Sequence, residues 1–323
     1  ASISNSVSAL NSTNAANLAN AAKPASSTNL ASYTNSSAKA DALNRALFLR
    51  TSRGMNPKIF PSKFRTKGTF LALGAELKNQ FAIYKDGQIF ISPYIGDLKN
   101  VATNERFFAL LDMFVRAYEL KFDAVIADLH PQFSHTRFFE RRGYPVIRYQ
   151  HHFAHLVSNL AQNDLLFSGK KYLGFCFDGT GYGTDGTIWG GEFLWADYGG
   201  FTRLGSLEPF PLAGGDRAAE EGWRAAVNLL GVIDPARAKE EALALGLGTE
   251  GEIVAQCLMA EKHLNCVTTT SAGRLFDAVS ALLGIRRVST FEGEAAMYLE
   301  AAAENFGVST ALPPPLLFEA AGF

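Results

Sequence analysis

A pattern of strand, glycine-containing turn, strand and strand begins near Thr69 and returns near Lys171, about 100 residues later. The first pass is Thr69 to Gly74, Gln80 to Tyr84, an Asp86-Gly87 turn, and Gln88 to Pro93. Asp-Gly between alternating apolar runs is a strong hairpin signal, because both central residues of the tight turn need positive φ. The second pass is Lys171 to Phe177, a turn over Asp178 to Gly186, Ile188 to Ala196, and Phe201 to Leu207. Between them, Phe107, Leu110, Leu111, Phe114, Val115 and Tyr118 fall at helical spacing and predict an amphipathic helix over Glu105 to Leu120. Asp123 to Ala127 and Pro145 to Tyr149 read as strands around a short helix over His135 to Arg142, and a His-rich helix follows to about Ala161. Strands interleaved with helices predict an α/β chain of two related lobes, the second unfinished.

Helical patterns return over Ala218 to Gly231, Pro235 to Ala244, Glu252 to Leu264, Arg274 to Leu283 and Gly293 to Glu304. Thr268-Thr269-Thr270-Ser271 supplies N-cap candidates before the Arg274 helix, and Pro211 to Asp216 is a loop by composition. The 323 residues are 47% hydrophobic and 19% charged, enough to bury the cores of about two domains. A net charge of −1 gives no basic footprint for nucleic acid, and no apolar run approaches the roughly 20 residues of a membrane span. Cys176, Cys257 and Cys266 form no C-x-x-C pair and fit a reduced cytoplasmic protein. Residues 1–44 are dominated by Ala, Ser, Asn and Thr, a composition expected to stay disordered as a linker or insertion. Residues 45–66 read as a junction from a preceding module, and the chain reads as a piece of a longer one, cut at both ends.

Chemistry concentrates in two stretches. In His151-His152-Phe153-Ala154-His155, the first and last His share one helix face and can chelate a metal ion such as Fe or Zn. The competing reading has one His in the core and the other on a solvated face. His152 points elsewhere, as a supporting or substrate-facing group. Asp178-Gly179-Thr180-Gly181 offers backbone N–H groups and a hydroxyl to a phosphate, with Asp178 placed to handle a cation such as Mg; the competing reading is a plain hairpin. Asp277 and Gly293 are weaker candidates, equally consistent with a solvated helix face. Asp128-Leu129-His130-Pro131 ends a strand, with His130 read as structural.

Together these stretches resemble the HypF carbamoyltransferases, from about Arg50 to Glu300. The resemblance rests on Leu73-Gly74-Ala75-Glu76-Leu77-Lys78-Asn79, Gly96-Asp97-Leu98, Asp128-Leu129-His130-Pro131 and Gln150 to His155. It continues through Asp178 to Glu192, Pro209 to Leu212 with Gly214 to Asp216, Ser271 to Val279 and Glu292 to Met297. It implies an actin/hexokinase-like fold whose ribonuclease H-like lobes occupy residues 67–165 and 166–323, the second with a helical insertion. It also implies an ATP-dependent, ligase-type carbamoyltransferase acting in nickel–iron hydrogenase maturation. Carbamoyl phosphate and ATP give carbamoyl-adenylate, and the carbamoyl group passes to the C-terminal cysteine of a partner protein, HypE.

By the same resemblance His151 and His155 hold one divalent ion, and His152 and Asp178 are catalytic. Asp178, Gly179, Thr180 and Gly181 approach the ATP phosphates, while Asp277 and Gly293 face the ribose. No nucleic-acid or membrane partner is implied. Phe153 stands where the family usually has a third His, and Ala213 and Gly222 where it usually has Pro. The family's closing segment, with an Asp that completes the metal site, is expected past Phe323, so this piece is expected to be inactive alone. A small-molecule O-carbamoyltransferase, a tRNA threonylcarbamoyl transferase and a non-catalytic scaffold of the same fold are the alternatives. Retention of nucleotide binding separates the enzymes from the scaffold.

Overall fold

The computed structural model describes residues 57–306 apart from residue 65. The low-complexity tract over 1–44, most of the 45–66 junction and the end of the second expected lobe lie outside the described residues. The first sheet has the strand order β1-β4-β3-β2-β5-β6. Its strands are β1 (Lys58–Pro61), β2 (Thr69–Ala72), β3 (Ala82–Lys85), β4 (Gln88–Ile91), β5 (Ala124–Asp128) and β6 (Val146–Tyr149). β1, β4, β3 and β2 pair antiparallel, whereas β2, β5 and β6 run parallel. The β3–β4 hairpin is the expected one: Asp86 and Gly87 both have positive φ, at 49° and 79°.

Helix α1 (Val101–Ala117) starts four residues ahead of its first expected residue, because the Asn100 side chain accepts a hydrogen bond from Thr103 N and caps it. Its Phe107 and Phe114 meet Phe81, just before β3, edge-on, with ring centroids 5.7 and 5.3 Å apart. Around them close Leu71, Leu73, Ile83 and Val125, each at most 1% exposed. Burying side chains of this size stabilises by roughly 2 kcal/mol each. α2 (Ser134–Arg141) and α3 (His151–Gln162) complete this part of the chain.

The second sheet has the order β10-β11-β8-β7, with β9 paired to β8. Its strands are β7 (Tyr172–Tyr182), β8 (Ile188–Asp197), β9 (Gly200–Ser206), β10 (Phe210–Ala213) and β11 (Cys266–Thr269). Helices α4 (Arg217–Glu220), α5 (Gly222–Ile233), α6 (Ala238–Ala244), α7 (Glu250–Glu261), α8 (Ala272–Leu282) and α9 (Glu294–Phe306) accompany it. A second core gathers Phe210, Leu212, Trp223, Val227, Leu247 and Ile253.

Three expectations give way here. The turn placed over Asp178 to Gly186 begins only after Tyr182, because β7 stays extended through Asp178, Gly179, Thr180 and Gly181. The segment read as a loop at Pro211 is β10, paired antiparallel with β11 from Phe210↔Thr269 to Ala213↔Cys266. Proline is tolerated there because β10 is an edge strand. Thr268 and Thr269 are therefore strand residues, and Ser271 caps α8 by accepting from Arg274 N. The helix expected over Ala218 to Gly231 breaks at Glu221 (φ −99°, ψ 77°) into α4 and α5. A Cβ at Gly222 would stand 3.0 Å from the Asp277 carbonyl oxygen, tighter than ordinary contact, so glycine eases the close start of α5 against α8.

The described chain divides into two compact units. The first holds the residues up to Cys176 with 181–186 and 192–205, and the second holds 177–180, 187–191 and those from Ser206 on. No helix among the described residues is long and apolar enough to cross a membrane.

Candidate functional site

Strand β6 ends at Tyr149, and Gln150 turns the chain directly into α3 by accepting from Phe153 N through its side chain at 2.9 Å. This cap fixes which way the His residues project. His151 and His155, one turn apart, bring their Nε2 atoms to 3.1 Å. The other nitrogen of His151, Nδ1, lies 2.7 Å from Asp128 Oδ2 at the end of β5. Burial pushes the Asp128 carboxyl up, but the His151 ring and the His130 N–H and charge outweigh it and hold it below its ordinary value. Two imidazole nitrogens 3.1 Å apart, one imidazole backed by a carboxylate, fit a divalent ion that accepts nitrogen ligands.

His152 behaves differently from the substrate-facing group that its position suggested. It is fully buried, its Nδ1 accepts from Gln150 Nε2 at 3.0 Å, and its carbonyl accepts the Cys176 thiol. A Cβ at Gly181 would stand 2.4 Å from the His152 ring. Glycine at 181 thus gives the His152 ring its room. Phe153, where the family usually has His, is buried against the Phe201 ring at 5.1 Å. His130 stacks on Phe133 with centroids 4.3 Å apart, and burial pushes its pKa down.

In the second unit, Asp178 Oδ1 accepts from Gly179 N at 2.6 Å. Ser271 Oγ donates to the Gly179 carbonyl at 2.7 Å and lies 3.3 Å from that of Asp178, so the N-terminus of α8 is tied to β7. Glycine makes the approach possible: a Cβ at Gly273 would be 2.8 Å from Gly179 Cα, and one at Gly190 would be 2.6 Å from the Asp178 carbonyl. A Cβ on Gly179 itself would meet nothing within 4 Å, so here the backbone does face open space.

Beside this junction lies a cleft of about 370 Å³ lined in part by Thr180, Gly215, Asp216, His263, Asn265 and Arg274. The Thr180 hydroxyl and the Arg274 guanidinium suit an anionic ligand. Asp277 is not presented to such a ligand as a ribose-binding carboxylate would be. It is 4% exposed and pairs with Arg274 Nη2 at 2.7 Å; burial raises its carboxyl and Arg274 opposes the rise. The residue that lines the cleft is Arg274, which the sequence pattern alone did not single out. Its signal was present, a cationic side chain in the first turn of a Ser-capped helix. Gly293 has φ +80° just before α9 and does not line the cleft; it is a turn residue in this structure.

Two family models match the chain: "HypF Kae1-like domain" over residues 65–162, and "Carbamoyltransferase, Kae1-like Domain, second subdomain" over 174–317. The Carbamoyltransferase HypF of Rhodobacter capsulatus is 38% identical over 274 residues, 83% of this chain and 36% of that protein. The chain belongs to the HypF family. A Carbamoyltransferase HypF homolog of Cupriavidus necator is 38% identical over 76% of this chain and 62% of its own length. Among solved structures, a full-length HypF in its phosphate- and nucleotide-bound form is similar with a TM-score of 0.71 and 33% identity, covering 77% of this chain and 32% of that one. This HypF chain thus spans about a third of the length of relatives such as the Rhodobacter protein. The first match reaches from β2 to the end of α3 and includes Asp128, His151 and His155.

Proposed function

We propose that this chain supplies the carbamoyl-transfer part of a HypF enzyme, with a divalent metal at His151 and His155. The observation that carries the reading is the approach of the two Nε2 atoms to 3.1 Å, with Asp128 on the far side of His151. When bound, Zn or Fe would supply Lewis acidity toward a carbonyl or phosphate oxygen. The two units are read as the two lobes of an actin/hexokinase-like fold. The cleft beside α8 is read as the place of the nucleotide phosphates, with Arg274 and the Thr180 hydroxyl as their partners, Gly179 allowing close approach and Asp178 placed for a cation such as Mg. Relatives named carbamoyltransferases, and one solved with nucleotide bound, support this assignment.

In the reaction so proposed, a thiolate sulfur bonds to the carbamoyl carbon of a carbamoyl-adenylate, and the bond from that carbon to the adenylate oxygen breaks, releasing AMP. The thiol belongs to the acceptor, the C-terminal cysteine of HypE. This chain's own cysteines are poor nucleophiles: Cys176 is buried, and burial pushes the Cys257 and Cys266 thiols up.

The test is metal content and transfer in His151→Ala/His155→Ala. In a full-length HypF that carries this chain, the double variant is expected to lose the bound divalent ion and carbamoyl transfer while its far-UV circular dichroism stays that of the parent. Equal metal content in both proteins would overturn the assignment.

A further inference from the structure

We infer that Asp128 is the positioning residue of the proposed metal site: it holds His151 in the tautomer whose Nε2 lone pair faces the ion. The inference rests on the metal role proposed for His151 and His155. A neutral imidazole carries its proton on one nitrogen only, and the hydrogen bond made by that nitrogen decides which one is left to ligate. Asp128 Oδ2, 2.7 Å from His151 Nδ1, accepts that proton's hydrogen bond. Nε2 is then the nitrogen with a lone pair, and it is the one that approaches His155 Nε2 at 3.1 Å.

Asp128 is itself held from several directions. Its other oxygen accepts from His130 N at 2.8 Å, closing the turn that follows β5. Arg148 Nη1 donates to the Asp128 carbonyl at 3.2 Å and to the His130 carbonyl at 2.9 Å, while Arg148 Nη2 pairs with Glu140 at 2.7 Å. The parallel register of β5 on β6 sets Asp128 opposite Tyr149, two residues before His151. The Asp128-Leu129-His130-Pro131 stretch is thereby a braced turn that presents one carboxylate to one imidazole. Outer carboxylates of this kind raise ligand basicity and fix ring orientation, and losing one costs roughly 10- to 100-fold in metal affinity.

The experiment measures Zn(II) affinity by competition with a chromophoric chelator, alongside the His151 tautomer by ¹⁵N–¹H correlation in the metal-free protein. The parent, Asp128→Ala, Asp128→Asn and His151→Ala/His155→Ala are compared, with circular dichroism as the check on folding. Asp128→Ala is expected to bind zinc at least tenfold more weakly and to shift His151 away from the Nδ1–H form. Asp128→Asn is isosteric and keeps an oxygen acceptor. It should retain the tautomer but lose about tenfold in affinity, because the charge that raises basicity is gone.

Parent affinity in both Asp128 variants, or an unchanged tautomer in Asp128→Ala, would overturn the inference while leaving the metal site standing. If the parent binds no zinc, or the double His variant binds it equally well, the metal assignment itself fails and this inference with it. Should Asp128→Ala not fold, Asp128→Asn decides alone, its affinity being the readout.

Discussion

His135 is fully buried, with Nε2 3.2 Å from the Gly74 carbonyl and its ring 5.8 Å from that of Phe107. Burial pushes its pKa from 6.5 down to about 4, against the smaller opposing pulls of the Gly74 carbonyl and Asp128. The sign follows directly. Below pH 6.5 the unfolded chain gains a proton that the folded ring refuses until about 4, so stability is lost as pH falls through that window. The loss amounts to about 3 kcal/mol at the low end. In a urea titration between pH 7 and 4, the parent's unfolding midpoint is expected to drop more steeply than that of His135→Gln, and parallel curves would refute the attribution. The depressed Asp128 carboxyl adds its own loss only at lower pH, as that group protonates. Legibility at this scale followed sequence distance. The approach of His151 to His155 was readable because it lies within one helical turn. The Asp128 contact, 23 residues away, and the Arg274 side chain that lines the cleft depend on tertiary placement that a single sequence does not encode locally.

The element that carries the His pair owes its seat to small residues on the strand beneath it. A Cβ at Gly174 of β7 would stand 2.6 Å from both Leu156 methyls, and Gly181 admits His152 in the same way. Gly174→Val should therefore push α3 off β7, at a cost of roughly 1–3 kcal/mol for overpacking, and weaken zinc binding at the His pair. Unaltered stability and zinc affinity would show that the helix has slack. The contact of Gly181 with His152 was not legible, because composition cannot distinguish a glycine that turns the chain from one that clears space for a neighbour. β10 was missed for a related reason: Pro211 and the glycines after Ala213 look like loop, yet an edge strand accepts the proline and ends before the glycines. A signal that was present went unread at Thr249. With Glu252 it forms a reciprocal capping box that starts α7 two residues ahead of its expected start. Thr249→Ala should lower stability by about 1 kcal/mol, measured as a shift in denaturant midpoint with unchanged slope.

Over the whole molecule, alternation of strands and helices was enough to give an α/β chain, and the helical spacing of Phe107, Leu111 and Phe114 showed part of its first core. Which strand faces meet solvent was not visible. Lys171 to Phe177 is apolar at almost every position, so both of its faces read as interior. In the structure Gly174 and Cys176 point inward while Leu173 and Phe175 are 47% and 62% exposed. Phe175 meets Phe193 of β8 edge-on at 5.1 Å, and Trp195 and Leu204 on β8 and β9 are each about 40% exposed. Several large side chains exposed within one sheet exceed the scattered single apolar residues normal on a protein surface. Such a surface should bind the dye ANS in the native state, without the loss of tertiary packing that makes molten globules do so. Phe175→Ser/Trp195→Ser is expected to cut native-state ANS fluorescence at least twofold, with the far- and near-ultraviolet circular dichroism of the described fold retained. Substitution of exposed side chains should also leave the denaturant midpoint nearly unchanged, since little buried area is removed. If dye binding persists undiminished, the apolar surface lies elsewhere; if the variant loses its near-ultraviolet spectrum, these side chains are packed rather than exposed.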